Sequence, residues 1–259
     1  MVTPLSPLHE TIHKQTAKEM IRDKIVSMIA SGILQVDDEL PSERELATML
    51  MVSRETVRGA VQRLASEGIV QVSQGARTRI ARVNVEVSAQ RIGVTNPTSI
   101  NGYGLEAVHA ARLLVETAVV ADAAKHLSDD DIRRLEDSIA AQQLAWNDPV
   151  RFLICDREFH LTIYYASQNR LLADFVVDLY TYMLDHRRIA MAQPGAIEKS
   201  LEDHRFIVRA LKMRNPDAVS AAFSEHILRI HDTSLAVDEG KSVRTAHPFT
   251  VTDGNKESV

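Results

Sequence analysis

At 259 residues, 45% hydrophobic and 25% charged, the chain can bury one large core and one small one, so two domains are expected. The formal net charge of −5 means that whatever lies outside a basic segment is acidic and does not meet DNA. One cysteine excludes an internal disulfide, no uncharged apolar stretch reaches the roughly 18 residues of a membrane span, and no signal-peptide pattern opens the chain; a cytoplasmic location without membrane contact is expected.

Residues 1–12 carry prolines and little periodicity and predict a frayed start. A helix follows with Ala17, Met20, Ile21, Ile25, Met28 and Ile29 on its inner face. From Pro41 the punctuation becomes dense. Ser42 and Glu45 form a capping box that starts a helix over about Glu43 to Leu50. Ser53 caps a second helix, whose Val57, Ala60, Val61 and Leu64 form one buried stripe, and Gly68 ends it. Laid out at about 100° per residue, that helix carries Glu55, Arg58, Gly59 and Gln62 opposite the stripe, with Arg54 and Thr56 in its exposed first turn. Ile69–Val72 and Thr78–Val83 read as short strands around a turn at Ser73–Arg77. Two helices, a short turn and a hairpin make a winged helix-turn-helix, with an Arg- and Thr-bearing helix start suited to base edges in a major groove. From Arg44 to Arg82 seven arginines face three glutamates, so positive charge gathers where phosphates would lie. A charge run is ordinarily a solvated helix face, but here capping, stripe, basic helix start and wing agree within one segment.

These boundaries place the DNA-binding domain at residues 13–82 and a linker at 83–103, broken by Gly93, Asn96-Pro97 and Gly102. An all-helical domain of six or seven helices follows at 104–237, and a polar tail expected to be disordered occupies 238–259. The fold class is therefore mainly α. Ser128 with three aspartates opens one helix, Asp148-Pro149 another; Pro194-Gly195 closes a third, and Asn215-Pro216 separates the last two. Cys155, inside an apolar helical run, reads as a buried thiol and not a nucleophile.

Four polar residues interrupt apolar stripes in this second domain. Asp156 and His160 form an i, i+4 pair in line with Phe152 and Ile163; His204 sits among Ile197, Leu201, Val208 and Leu211; His226 sits among Val219, Phe223 and Ile230. Any one such histidine is more often a satisfied core or surface residue than a ligand. Burying an isolated ionisable group costs several kcal/mol unless it is paired or coordinated, and one divalent cation shared by all four answers that cost. Zn²⁺ is the first choice for this donor set, with Ni²⁺, Mn²⁺ or Fe²⁺ as alternatives. His109, His126, His186 and His231 lack comparable positions. Arg112 stands among Leu105, Val108, Val115 and Val119, and its partner is either Glu116 at i+4 or the carboxylate of a bound small molecule.

The pattern P-S-E-R-x-L-A-x-x-L-x-V-S-R-x-x-V-R-x-A-x-x-x-L-x-x-x-G runs intact from Pro41 to Gly68. In it the chain resembles the GntR family of bacterial transcription regulators, in the FadR-type subfamily with an all-helical ligand-binding domain, over roughly residues 14–237. The resemblance implies DNA contacts from Arg44, Arg54, Thr56 and Arg58 beside the cap residue Ser53, with Gly75 at the wing tip. Family wings usually carry a second glycine where this chain has Arg77, which points Arg77 at phosphate or the minor groove. Metal-binding members use an Asp-x-x-x-His pair and two later histidines, the same Asp156, His160, His204 and His226. The resemblance also implies a homodimer on a palindromic double-stranded operator, a repressor released by a small carboxylate metabolite, and Arg112 facing the effector pocket. Asn169 recurs in the family and reads as a helix cap. Two other readings stand beside this one: a regulator for which the cation itself is the signal, and a metalloenzyme domain, for which no convincing general base is visible.

Overall fold

Thr16 starts the first helix, α1 (Ala17–Ala30). Its Oγ1 accepts the Glu19 backbone N–H at 3.2 Å, while the Glu19 carboxylate accepts the Thr16 N–H at 2.9 Å. In this computed structural model, which describes residues 15–72, 77–81, 103–182 and 184–245, the chain separates into two units, Met1–Asn96 and Pro97–Val259. In the first, α2 (Glu43–Met49) opens on the Ser42–Glu45 capping box, and α3 (Arg54–Ser66) on Ser53, whose Oγ accepts the Thr56 N–H at 3.1 Å. The stripe of α3 is buried as the spacing predicts: Val57, Ala60, Val61 and Leu64. Gly68 follows with φ +72°, a conformation glycine adopts at low cost.

Two details differ from the sequence reading. The inner face of α1 is Ile21, Ile25, Val26 and Met28, whereas Met20 is 48% exposed and Ala17 is exposed as well. The helix is turned so that Lys18 lies over Gly59 of α3, where an added Cβ would stand 2.5 Å from the Lys18 Cδ. Gly59 therefore serves the approach of α1 and not an open groove-facing surface. Within the described residues the hairpin is also short, β1 (Val70–Gln71) pairing antiparallel with β2 (Arg79–Ile80), Val70 opposite Ile80, while Arg82 and Val83 of the expected strand lie outside them. A third segment joins it, since Leu40 N–H reaches the Thr78 carbonyl at 2.8 Å and Asp37 N–H the Ile80 carbonyl at 3.0 Å. The wing turn at 73–76, with Gly75, lies outside the described residues.

The second unit contains, among the described residues, seven helices: α4 (Leu105–His126), α5 (Asp129–Leu144), α6 (Pro149–Tyr164), α7 (Arg170–Tyr182), α8 (Leu184–Met191), α9 (Ala196–Lys212) and α10 (Pro216–Thr245). The predicted punctuation operates. Ser128 makes a capping box with Asp131, Asp148 caps α6 ahead of Pro149, and the Asn169 Oδ1 accepts the Leu172 N–H at 3.2 Å as a cap should. Gly195 precedes α9 with φ +75°. α4 packs along α10 and α7; α9 packs on α10 and α5; α5 packs on α6. That leaves α6 enclosed, with every residue from Phe152 to Leu161 buried, the condition of a helix at the centre of a bundle. Cys155 is buried there, and burial pushes its thiol up to about 12, which makes it inert. The last helix does not stop at Val237 but continues to Thr245, into the segment expected to be disordered. Extending a helix already formed costs little, and no proline follows Pro216 until Pro248.

Candidate metal centre and nucleic-acid interface

The stripes of α6, α9 and α10 converge. His160, His204 and His226 are fully buried and offer nitrogen atoms that all lie within 4.8 Å of one another. In each ring Nδ1 is engaged on the far side. For His160 the partner is the Tyr164 hydroxyl at 3.0 Å, for His204 the Gln142 Oε1 at 2.6 Å, and for His226 the Asp203 Oδ2 at 3.2 Å. The Tyr164 hydroxyl donates to Glu116, so its oxygen is left to accept a proton from His160 Nδ1. Gln142 and Asp203 likewise present acceptors. All three rings are thus set in the Nδ1–H tautomer, and all three Nε2 atoms are buried with no hydrogen-bond partner. Anchored Nδ1 atoms behind bare Nε2 atoms are what imidazole ligands to a cation require.

Electrostatics agree with that role. Burial above all, then the Arg187 guanidinium, holds His160 well below the ordinary histidine range. Burial followed by the His226 ring does the same to His204, and burial followed by Arg187 to His226. The rings are neutral, the form that binds metal. Tyr164 and Tyr180 are pushed well above 10, by burial first, and remain hydroxyl donors.

Asp156 borders two members of the triad. Its Oδ1 is 3.4 Å from His204 Nε2 and 3.7 Å from His160 Nε2. The carboxylate is also held by two groups that sequence reasoning missed: Arg187 Nη2 donates to both of its oxygens at 2.9 and 2.7 Å, and the Tyr180 hydroxyl donates to Oδ2 at 2.6 Å. Arg112 is buried and meets the intrahelical partner foreseen for it, with its Nε 3.1 Å from the Glu116 Oε2. Through Glu116 and Tyr164 this arginine is linked to the back of His160. Among the described residues the other histidines stay outside the triad: His109 and His231 stack on each other with ring centroids 3.7 Å apart, and His126 bonds to the Asp122 carbonyl.

Donor chemistry fits a borderline divalent cation, with three imidazole nitrogens and an adjacent carboxylate oxygen. Arg187 was illegible because in L-D-H-R-R-I it reads as one of two arginines on a solvated surface. Gln142 had a signal, since it continues the stripe of Ile132, Leu135 and Ser138 on α5.

In the first unit the arginines expected at DNA are exposed. Arg54, 63% exposed, and Arg58, 45% exposed, both reach the Glu43 carboxylate of α2, at 3.4 and 3.2 Å. Arg44 is exposed on α2, Thr56 is half-buried beneath its bond to Ser53, and Arg77 pairs with Glu39 at 3.0 Å. Two carboxylates, Glu43 and Glu39, thus hold three of these arginines, Arg54, Arg58 and Arg77. Among the described residues no helix is long and apolar enough to cross a membrane.

Comparison with known proteins adds the following. Residues 17–80 match the family described as bacterial regulatory proteins, gntR family, and residues 107–229 match the FCD domain. The HTH-type transcriptional repressor NanR of Cronobacter sakazakii is 27% identical over 235 residues, covering 89% of this chain and 90% of that protein. Its namesake in Salmonella newport is 25% identical over 229 residues, covering 85% and 86%. Among solved structures, E. coli McbR/YncC aligns with a TM-score of 0.49 at 19% identity, over 88% of this chain and 99% of that one.

Proposed function

The chain belongs to the gntR family of bacterial regulatory proteins and carries an FCD domain after its helix-turn-helix, and from that premise we propose that it represses transcription until a small carboxylate, bound beside a metal ion in the helical unit, releases it from its operator. It is a DNA-binding transcription regulator and not an enzyme. The observation that carries the metal part of this reading is the set of three buried Nε2 atoms without hydrogen-bond partners, each backed by an engaged Nδ1.

In this reading His160, His204 and His226, with Asp156, hold a divalent ion, Zn²⁺ before Ni²⁺, Mn²⁺ or Fe²⁺. Such an ion supplies a coordination position for a carboxylate oxygen. The chain's own part is to hold the three rings in one tautomer, through Tyr164, Gln142 and Asp203, and to exclude water around them. The domain limits are residues 13–82 for DNA and 104–237 for the effector, and the working form is a cytoplasmic homodimer on a palindromic operator. Arg54, Thr56 and Arg58 meet base edges and phosphates of a major groove beside Ser53 and Arg44, and Gly75 and Arg77 place the wing. The effector must bind one state better than the other. A coupling of about 1–3 kcal/mol changes operator affinity about 5- to 150-fold.

The test begins with metal analysis of protein purified without added metal and reloaded with Zn²⁺, then selection of bound fragments from genomic DNA and screening of carboxylates for release. One ion per chain and carboxylate-dependent release are expected. Protein that takes up no metal under any loading condition refutes the metal site, and release by the cation alone makes the cation the signal.

A further inference from the structure

Arg112 and Arg187 are the most deeply buried guanidinium groups among the described residues of the second unit, and they are not equivalent. Arg112 turns its Nε and Nη2 to Glu116, at 3.1 and 3.0 Å. Arg187, whose side chain has no solvent exposure, uses Nη2 alone on Asp156; its Nε and Nη1 are buried and have no hydrogen-bond partner. The Tyr180 ring lies 4.9 Å from the Arg187 guanidinium carbon and offers it a face but no acceptor for those two nitrogens. Buried donors without acceptors are rare, and each one calls for an explanation. A guanidinium matches a carboxylate better than any other side-chain cation does.

Charge balance points the same way. Glu116 answers Arg112 and Asp156 answers Arg187, so the cluster is compensated as it stands. A divalent ion at the triad adds two positive charges in a buried region where solvent screens them little. It also competes for the same atom, because Asp156 Oδ1 is at once 2.9 Å from Arg187 Nη2 and 3.4 Å from His204 Nε2. When the ion draws on that oxygen, Arg187 is left with less of the carboxylate it pairs with, and the cluster needs a further negative charge.

We infer that Arg187, and not Arg112, receives the carboxylate of the effector, and that it does so in partnership with the ion at His160, His204 and His226. This assignment rests on the metal-and-carboxylate reading above and deepens it by naming the anchoring side chain. Arg112 is a positioning residue, acting on His160 through Glu116 and Tyr164. Ion and carboxylate bind with positive coupling, each raising the affinity of the other by the same factor.

The experiment uses the full chain loaded with Co²⁺, whose visible absorption reports its ligands, and acetate as the minimal carboxylate. Acetate is expected to change the Co²⁺ spectrum of the wild type. Arg187→Lys and Arg187→Gln are expected to bind Co²⁺ at least as tightly as the wild type and to need at least tenfold more acetate for half the change. Arg187→Lys keeps the charge beside Asp156 and so serves where the Gln variant fails to fold. Wild-type acetate dependence in both variants, or a loss confined to Arg112→Lys, overturns the inference. Should the wild type bind no Co²⁺, the metal reading fails by itself, and acetate is then titrated against the melting of the metal-free protein followed through Trp146. Stabilisation that Arg187→Lys abolishes sustains the anion assignment; its absence overturns that as well.

Discussion

Acidifying the metal-free protein is the perturbation that interrogates the triad most directly. Burial holds all three imidazoles well below the value near 6.5 that they regain on unfolding. Below pH 6.5 the unfolded chain therefore binds protons that the folded chain refuses, so the stability these rings permit is complete above that pH and is lost as the pH falls. Each proton taken up contributes about 1.4 kcal/mol per pH unit, so three contribute about 4 kcal/mol per pH unit once the pH is well below 6.5. His109, lowered by burial and by its stacked neighbour His231, acts in the same direction. The assay is urea unfolding at pH 7.5, 6.5 and 5.5, followed by the fluorescence of Trp146, the chain's single tryptophan, which lies in the second unit. Zn²⁺ at a thousandfold excess over its dissociation constant should add about 4 kcal/mol at pH 7.5. That increment should shrink toward pH 5.5, where protons compete for the same nitrogens. A metal-free protein whose stability falls by less than the equivalent of one proton between pH 6.5 and 5.5 would refute the claim that three neutral imidazoles share this core.

Other expectations concern single residues. Arg58→Ala should weaken operator binding and reduce the steepness of its salt dependence by roughly 0.9 for one lost phosphate contact, with metal content unchanged; gel shifts at several salt concentrations measure both. His204→Ala should do the opposite, abolishing metal uptake while DNA binding survives, and a folded variant lacking both properties would contradict this division of labour. Gln142→Leu removes the acceptor behind His204 and should cost roughly 10- to 100-fold in metal affinity by competition with a chelator. Glu43→Gln frees Arg54 and Arg58 from their shared carboxylate and should tighten binding to random-sequence DNA at low salt, a gain that disappears as salt rises.

Much of this arrangement was legible in the residues. The cap at Ser42, the stripe of Val57, Ala60, Val61 and Leu64, and the placement of one histidine on each of two apolar faces follow from periods of 3.6 and from capping chemistry, which are local. What could not be read was whatever depends on neighbours distant in sequence. Arg187 lies on a short helix whose charged composition suggests water, yet its side chain is buried because α8 packs against α10 and α6. Lys18 over Gly59 is a contact between two helices, so the rotation of α1 was not decided by its own pattern. The strand-like pairing of Asp37 to Leu40 with the hairpin shows no alternation of polar and apolar residues, and only the hydrogen bonds to Thr78 and Ile80 reveal it. Asp156 was rightly found on the apolar face, but two polar partners besides any ion stand ready for it.

The three imidazoles able to hold a metal, on α6, α9 and α10, are far apart along the chain, at positions 160, 204 and 226. An ion gripped by all of them therefore acts as a reversible cross-link that closes two long loops, and it removes chain entropy from the opened state much as a disulfide would. In a protein whose lone cysteine rules out that covalent alternative, a cation held there would be the staple. Amide hydrogens in α6, α9 and α10 should then exchange together and more slowly once metal is supplied, so that metal supply would set how long the helical unit stays closed.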